Sequence, residues 1–371
     1  MNTPNLAAYM RASLPLFASQ GWLSLPLQPA LEYHCSTLFS ATAYFALPPD
    51  APEKTKYAAP SGTGASDEGF ADLAGEKALI TIRRAGSLAP LPHCAMRLRR
   101  RLELPQLDAF DEMSKEAKGM PERGSPRAAS LLRLFRYVRP ESASGEGKGG
   151  ERVVAEAHKD LGILTLVVGS SPGLDARDAA GRWISVEDAP PFASSQRLTT
   201  TLLVGQSLTY LTGSLFAAGA HRVSVLPPPS SAPEDAYRYS LVFALRPAPA
   251  SLISTSVFSQ SPLIPDFPPE RLVAPPETGK GGGAAGTGDG GESNFPKCRM
   301  EGQTGAELMR AISGKHWNVN VAKEVREEQK RKLGISKEGR EAKQANAGEK
   351  TEGGEKDEEG LISLGAESRL G

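Results

Sequence analysis

The sequence predicts a mainly β protein with flanking helices, and two observations in residues 130–250 carry this prediction. The first is a series of short runs rich in β-branched or aromatic residues. The second is the clusters of Gly, Pro, Ser and Asp that separate the runs, as expected for turns between strands. Many short strands at such spacing are typical of a β-sandwich, a barrel or a jelly roll. The predicted strands are 131–138, 153–158, 163–168, 182–186, 198–204, 222–226 and 239–245.

The N-terminal third has a different, mostly helical character. Residues 4–46 are predicted to form helical segments that are interrupted at Pro15 and Pro26. Residues 78–84 alternate between apolar and polar positions and therefore predict one strand. From residue 103 to residue 117 the composition again favours a helix.

Composition divides the chain into five segments. Residues 1–128 form the predicted helical N-terminal region, and 129–250 form the predicted β domain. Residues 251–294 are rich in Pro and Gly and cannot pack a core, which indicates a flexible linker. Residues 295–322 regain apolar and aromatic content and are predicted to dock as a helix, which we hypothesise to cover the mouth of the β domain. The Gly-rich, mixed-charge residues 323–371 predict a frayed helix that runs into a disordered tail.

Charge and cysteine content exclude several classes of partner. The 43 basic and 43 acidic residues balance, so the chain has no overall attraction to nucleic acid or to an anionic membrane. The basic cluster at 97–101 has no interleaved aromatic residues and is interpreted as a solvated face. The three cysteines do not form a disulfide framework, and no apolar run is long enough to span a bilayer. We therefore expect a cytoplasmic protein with a small-molecule substrate and no nucleic-acid or membrane partner.

Two histidines and one carboxylate stand out as candidate metal ligands. His158 and Asp160 lie at positions i and i+2 at the end of a predicted strand, where side chains share a face. His221 begins another predicted strand further along the chain. Two imidazoles and one carboxylate form a facial triad that binds Fe(II) and leaves the opposite coordination positions open for O₂ and a cosubstrate.

Three further residues form a candidate carboxylate-binding site. Arg238 and Ser240 repeat the i, i+2 spacing on a predicted strand. A guanidinium binds a carboxylate bidentately, and a hydroxyl on the same face adds a hydrogen bond. Tyr137 ends another predicted strand, and its phenol could bind the same carboxylate.

The order of these motifs resembles the isopenicillin N synthase-like 2-oxoglutarate and Fe(II)-dependent dioxygenases. The resemblance is strong over residues 130–246 and weaker over the N-terminal region from residue 15. The similar segments are Ala157 to Leu166, Gly173-Leu174 with Gly181-Arg182-Trp183, Val204 to Gly213, His221-Arg222-Val223, Arg238-Tyr239-Ser240, and in the N-terminal region Gly21-Trp22, Tyr44 to Pro48, Lys54, Lys56-Tyr57, Gly69-Phe70 and Gly75 to Lys77.

The resemblance implies a double-stranded β-helix, or jelly roll, with Fe(II) held at its open end by His158, Asp160 and His221. It also implies that 2-oxoglutarate binds the iron and that its distal carboxylate pairs with Arg238 and Ser240, with Tyr137 as a further contact. In the family, O₂ and 2-oxoglutarate are consumed, succinate and CO₂ are released, and a small organic substrate is hydroxylated, desaturated or cyclised.

Two alternatives stay open. Some relatives use only O₂ and bind the carboxylate of their own substrate with the Arg-x-Ser pair, so the chain could be an oxidase of that kind. It could also be a catalytically silent jelly-roll interaction module. The chain departs from the family pattern at Gln206, where an acidic residue is usual, and in the Pro/Ser-rich insertion at 227–233.

Overall fold

The structure is a computed structural model. It describes residues 9, 12–27, 29–40, 43–58, 68–73, 76–83, 113–114, 128–140, 150–188, 198–228, 236–254, 257, 301–313 and 316–333. The chain divides into two units, of which the first contains 1–280 and 293–322 and the second contains 281–292 and 323–371.

The first unit is built on two antiparallel sheets. The larger sheet has the strand order β1-β9-β6-β11-β4-β3-β2, and the smaller sheet has the order β5-β10-β7-β8. The strands are β1 (Trp22–Pro26), β2 (Gly69–Leu73), β3 (Lys77–Ile82), β4 (Leu131–Val138), β5 (Arg152–His158), β6 (Leu164–Gly169), β7 (Leu174–Arg177), β8 (Trp183–Ser185), β9 (Thr199–Val204), β10 (His221–Val225) and β11 (Tyr237–Leu245).

The eight strands β4 to β11 form a double-stranded β-helix. From β4 to β7, successive strands alternate between the two sheets. The larger sheet contributes β9-β6-β11-β4 and the smaller contributes β5-β10-β7-β8, with antiparallel pairing throughout. Two four-stranded antiparallel sheets in this arrangement define a jelly roll. The predicted mainly β core with a jelly-roll topology is confirmed.

Seven helices lie in the described residues, of which the first six belong to the unit that contains this core and the seventh belongs to the second unit. They are α1 (Leu14–Gln20), α2 (Pro29–Ser40), α3 (Ala43–Ala46), α4 (Pro52–Lys56), α5 (Gln206–Leu211), α6 (Gly305–Ser313) and α7 (Lys323–Lys332). The helix expected at 103–117 lies outside the described residues, apart from 113–114. Within those residues, no helix combines the length and the apolar character that crossing a membrane requires.

The prediction of helical segments throughout 4–46 was wrong at β1. Residues 22–26 pair antiparallel with β9 and extend the larger sheet by one strand. The indole Nε1 of Trp22 donates a hydrogen bond of 2.8 Å to the carbonyl of Arg177 on β7, which ties the two sheets together. The predicted interruption at Pro15 is found two residues earlier, because Ser13 is the N-cap of α1 and Pro15 lies in its first turn, where a missing N–H costs nothing.

Two apolar clusters lie on the two faces of the larger sheet. Strand β4 shows why, because its side chains alternate between buried and half-buried positions. Phe135 and Tyr137 pack between the sheets with residues of the smaller sheet, such as Leu174. Leu132 and Leu134 point to the opposite face and pack against the cluster that the helices cover. The space between the two sheets is therefore available for a site at one end.

The C-terminal helix α6 belongs to the helix-covered cluster. Its Leu308 and Ile312 are buried there, and α6 packs against α5. Thr304 and Glu307 form a capping box at its start, with Oε2 of Glu307 accepting a hydrogen bond of 2.7 Å from the Thr304 amide. Residues 251–254, 257 and 301–304 of the predicted linker and docking segment are also described, whereas 258–300 lie outside the described residues. The extents of the linker and the docking segment stay predictions.

The second unit is described only at 323–333, where α7 forms. Its charged residues pair along the helix surface, as in the bond of 2.9 Å from Lys330 Nζ to Glu327 Oε1. Such exposed pairs contribute a few tenths of a kcal/mol, about 0.2–0.5 each. The predicted disorder of the tail beyond residue 333 lies outside the described residues and stays a prediction.

Two glycine backbones touch where α5 begins. A Cβ atom on Gly205 would lie 2.0 Å from the carbonyl oxygen of Gly162, far inside van der Waals contact with a backbone atom that cannot rotate away. The turn that contains Gly162 follows directly after Asp160. A side chain at position 205 would therefore displace this turn.

We expect Gly205→Ala to lower the free energy of unfolding by about 1–3 kcal/mol, which is typical of overpacking. Urea denaturation followed by circular dichroism measures this change. Gly181→Ala is a matched control, because nothing lies within 4 Å of its Cβ position, so only its positive φ of 79° is strained. A Gly205→Ala variant no less stable than Gly181→Ala would contradict the close approach.

Candidate metal centre

Three predicted ligands meet at one end of the space between the sheets. Nε2 of His158 lies 3.8 Å from Oδ1 of Asp160, and Nε2 of His221 lies 3.9 Å from Oδ2. Ligand atoms of all three side chains lie within 4.8 Å of one another. The two imidazole rings are 4.3 Å apart between centroids. A single ion placed among them would contact two nitrogens and one carboxylate.

Irregular pairing between β5 and β10 turns His158 toward the cavity. His158 pairs with His221, but the next pair is Ala155 with Val223, so two residues of β5 face one residue of β10. Regular alternation would place residues three apart on opposite faces, yet Ala155 and His158 both line the cavity. A β-bulge re-aims the side chain that follows it. The bulge at 156–157 therefore sets the direction of this ligand.

The start of α5 holds the Asp160 turn in place. The amide of Gln206 donates a hydrogen bond of 2.8 Å to the carbonyl of Asp160. The side-chain amide of Gln206 reaches the carbonyl of Lys159 at 3.3 Å. Ser207 donates from its hydroxyl to the carbonyl of Leu161 at 2.6 Å. A carboxylate at position 206 could not donate the second of these bonds, which gives the departure at Gln206 a structural role.

Both histidines present the correct nitrogen for a metal. Nδ1 of His158 lies 2.7 Å from the carbonyl of Glu156, and Nδ1 of His221 lies 3.1 Å from the carbonyl of Gly219. A carbonyl can only accept, so Nδ1 carries the proton and the lone pair of Nε2 faces the cluster. Backbone partners of this kind orient the histidine ligands of metal sites. The donor set therefore fits Fe(II).

The protonation states also suit metal binding. Burial, and after it the neighbouring His221, lowers the pKa of His158 to about 3, so the imidazole is neutral at physiological pH. Burial acts to raise the pKa of Asp160, but His221 and His158 outweigh it and hold that pKa below its usual value. Neutral imidazole and ionised carboxylate are the forms that bind a metal.

A cavity of about 80 Å³ runs from the three ligands between the sheets. Tyr137 and Ser240 line it, as the sequence analysis predicted for a carboxylate-binding site. Burial raises the pKa of Tyr137, so its phenol stays protonated and can donate a hydrogen bond. The other lining residues are Leu131, Arg133, Phe135, Ala155, Val167, Leu174, Val223, Val242, Ala244, Arg246, Val319 and Asn320.

Arg238 lies behind Ser240 and is completely buried. Its Nη1 donates to the Ser240 hydroxyl, and its Nε donates to the carbonyl of Ser171 at 2.9 Å. Its Nη2 lies 2.8 and 3.1 Å from the two carboxylate oxygens of Glu187. Arg238 itself does not line the cavity. The structure therefore brings Arg238 and Ser240 together as predicted. The carboxylate that the guanidinium binds, however, is that of Glu187 in the same chain.

Sequence reasoning missed Glu187, which follows β8 and has no distinctive spacing to any motif. The amide of Leu174 also donates to its Oε2 at 2.9 Å. Space for the ion pair comes from Gly169, where a Cβ atom would lie 2.0 Å from Glu187 Oε1 and 2.5 Å from Arg238 Nη2. Only three-dimensional proximity identifies this pair.

Two further arginines in the cavity wall were also missed. Burial, and after it the charges of Arg246 and Arg83, lowers the pKa of Arg133 to about 9. Burial, followed by the charge of Arg83, lowers the pKa of Arg246 to about 10. Arg133 occupies an inward position of β4. An arginine among the inward-facing apolar residues of a predicted strand was the sequence feature that could have indicated it.

A C-terminal segment covers one side of the cavity. Val319 and Asn320 contribute to its wall. The buried ammonium of Lys77 on β3 donates a hydrogen bond of 2.9 Å to the carbonyl of Val319. Burial, and then the charges of Arg246 and His221 against the opposing charge of Asp160, lowers the pKa of His316. Residues 316–320 therefore lie beside the candidate metal centre, whereas the hypothesised lid role stays a prediction.

Fold and donor set together define a jelly-roll protein with a two-histidine, one-carboxylate metal centre at the open end of its double-stranded β-helix. No family model matches the chain, and no curated protein sequence matches it.

The folded chain is similar to solved 2OG-Fe(II) oxygenases. One is a protein assigned to the 2OG-Fe(II) oxygenase family from Caulobacter crescentus, with a TM-score of 0.49 at 20% identity over 70% of this chain and 88% of that chain. Another is a full-length Neurospora crassa protein in complex with alpha-KG and thymine, with a TM-score of 0.46 at 18% identity over 84% of this chain and 92% of that chain. A third is the rice dioxygenase for auxin oxidation, with a TM-score of 0.38 at 17% identity over 65% of this chain and 77% of that chain.

We expect His158→Ala and His221→Ala each to weaken Fe(II) binding by at least about 100-fold, because each removes one of three protein ligands. Anaerobic isothermal titration calorimetry with Fe(II) measures this. His34→Ala is the matched control, since His34 is exposed on α2 and should bind Fe(II) like the wild type. Wild-type affinity in either triad variant would discard the metal-centre assignment.

We expect Glu187→Gln to lower the free energy of unfolding by about 3–5 kcal/mol, because it leaves the Arg238 charge buried without its countercharge. Chemical denaturation measures the loss. Glu151→Gln is the control, since Glu151 forms a half-exposed pair with Arg222 at 3.7 Å, and such pairs contribute about 0–1 kcal/mol. Equal effects of the two substitutions would show that the buried pair contributes no more than a surface pair.

Proposed function

We propose that this chain is a non-haem Fe(II) and 2-oxoglutarate-dependent dioxygenase that oxidises a small organic substrate. The observation that carries the proposal is the approach of His158, Asp160 and His221 to within 4.8 Å at the end of the jelly roll, with Nε2 of both histidines directed at the carboxylate. Three protein ligands leave coordination positions open for chemistry. The reaction outcome proposed is hydroxylation, desaturation or ring formation.

His158, Asp160 and His221 would hold the iron, and its bound form supplies the redox chemistry with O₂ and 2-oxoglutarate. Ser240 and Tyr137 line the cavity and would bind the distal carboxylate of 2-oxoglutarate through their hydroxyl groups. Arg238 would fix the Ser240 hydroxyl and contribute positive charge from behind it. Val167, Val223 and Val242 give the cavity apolar walls, which exclude water from the reacting atoms.

A second candidate is an oxidase that uses O₂ without 2-oxoglutarate. The observation that favours it is the ion pair between Arg238 and Glu187, which engages Nη2 of the guanidinium with a carboxylate of the chain. With that charge neutralised, the cavity would attract the distal carboxylate of 2-oxoglutarate less strongly. The same triad would then serve a substrate that binds the iron directly, unlike the oxidase relatives whose Arg-x-Ser pair holds the substrate's carboxylate.

Anaerobic titration separates these candidates. Full-length protein receives Fe(II) and then 2-oxoglutarate, and the absorption spectrum is followed for the weak visible charge-transfer band of the iron-bound oxoacid. A band that is absent in His158→Ala supports the dioxygenase. Iron binding without the band supports the oxidase, and the absence of iron binding supports a silent jelly-roll module.

We expect Arg238→Lys to weaken the binding of 2-oxoglutarate by about 10-fold or more, because the compact ammonium cannot reproduce the fork in which separate guanidinium nitrogens bind Ser240 and Glu187. The same band, titrated against 2-oxoglutarate, gives the dissociation constant. Arg182→Lys is the control, since Arg182 pairs with Asp178 at the protein surface. Unchanged affinity in Arg238→Lys would remove Arg238 from the cosubstrate site.

A further inference from the structure

The cavity wall formed by the larger sheet carries two arginines at the end nearest the metal ligands. Arg133 lies on β4, and Arg246 directly follows β11. Both line the cavity, and the charge of Asp160 acts on both. The Arg246 backbone is fixed by a hydrogen bond of 3.0 Å from its amide to the Ser130 hydroxyl. These side chains therefore project from rigid elements.

The two arginines differ in what holds them. Nε of Arg133 donates a hydrogen bond of 2.9 Å to the Thr81 hydroxyl on β3. Nε of Arg246 is buried and has no hydrogen-bond partner within the part of the chain that the structure describes. A buried donor without an acceptor costs about 1–3 kcal/mol, and a charged group costs more. The burial of Arg246 therefore lowers the stability of the ligand-free protein.

The arginines at the two ends of β11 differ in their ion pairs. Arg238 has Glu187 as a buried countercharge. Arg246 has no salt bridge in the part of the chain that the structure describes, and the carboxylate that acts on it is Asp160, which is committed to the metal under the proposed function. The Arg246 guanidinium thus lies where a substrate would approach the metal centre. A planar guanidinium matches the oxygens of a carboxylate or phosphate group.

We propose that the substrate is an organic acid whose carboxylate or phosphate oxygens are bound by Arg246 and Arg133. This inference rests on the proposed function only in treating the cavity beside the triad as the substrate site. The acid group lies at the Arg246 end of β11, and 2-oxoglutarate lies at the Arg238 end. The two anions therefore occupy different parts of the cavity, and the acid group orients the rest of the substrate toward the metal.

The test compares acids with neutral molecules of the same shape. Full-length protein, with and without Zn(II) as a diamagnetic substitute for Fe(II), is titrated with benzoate, phenyl phosphate, benzamide and benzyl alcohol, and binding is followed by saturation-transfer NMR. We expect at least one acid to bind about 10-fold or more tightly than its neutral counterpart in both forms of the protein. Preference for benzoate or for phenyl phosphate distinguishes a carboxylate substrate from a phosphate monoester. Equal binding of acids and neutral molecules would overturn the proposal.

Arg246→Gln tests the assigned residue. We expect it to weaken binding of the preferred acid about 10-fold or more and to leave benzamide binding unchanged. Arg182→Gln is the matched control, because the Arg182 side chain is 75% exposed. Acid binding that survives Arg246→Gln overturns the assignment. The dissociation constant of 2-oxoglutarate should not change in this variant, and an equal loss there would show that the arginines bind the cosubstrate instead.

Two further results complete the test. We expect Arg246→Gln to raise the midpoint of thermal unfolding, because it removes a buried charge with an unpartnered donor, whereas a purely structural arginine would lower the midpoint on removal. Failure of the proposed function would appear as loss of Fe(II) or 2-oxoglutarate binding in the wild type. Acid binding by the metal-free protein does not depend on either, so the two failures are distinguishable.

Discussion

The candidate site depends on one pairing, that of His158 with His221 across β5 and β10. This pair is the point at which two distant parts of the chain place their imidazoles side by side. Ladder hydrogen bonds fix the strands, and the bulge in β5 compensates for the alternation that would otherwise turn His158 away. The turn that carries Asp160 is then held in one orientation, because backbone amides at the start of α5 donate hydrogen bonds to its carbonyls. A metal centre follows from backbone register rather than from flexible side chains.

Charge distribution along β11 separates the cavity into two chemically different ends. Arg238 is enclosed, stacked near Tyr137 at 5.9 Å and neutralised by Glu187, so it acts as a fixed dipolar element behind Ser240. Arg246 has no such neutralising carboxylate in the described structure beyond the influence of Asp160. Interiors of low polarity amplify this difference, because an uncompensated charge there interacts strongly with any anion that enters. One end of β11 thereby carries an arginine in a buried ion pair, and the residue after its other end is an arginine that can bind an anion.

The sequence was sufficient for the features that lie in short local runs or in a fixed order. Strand β4 is rich in apolar and aromatic residues, and its bounds at 131–138 were predicted without error. His158, Asp160 and His221 were predicted because their types and spacing carry the chemistry. Trp22 to Pro26 was not predicted as a strand, since its burial on both faces leaves no alternation to detect. Glu187 and Arg246 were missed for another reason: their roles come from contacts across the fold, which local sequence does not encode.

The hydrogen bond from Lys77 to Val319 connects the N-terminal hairpin with the C-terminal segment across the whole chain. One side of the cavity is consequently built from residues that lie about 100 positions beyond the last metal ligand. Such a wall can diverge in sequence while the ligand-bearing strands stay constrained by their ladder. A substitution at Asn320 would accordingly change the shape of the cavity without touching the strands that hold the metal ligands. The fold thus places the selectivity of the cavity and its metal-binding residues on separate parts of the chain.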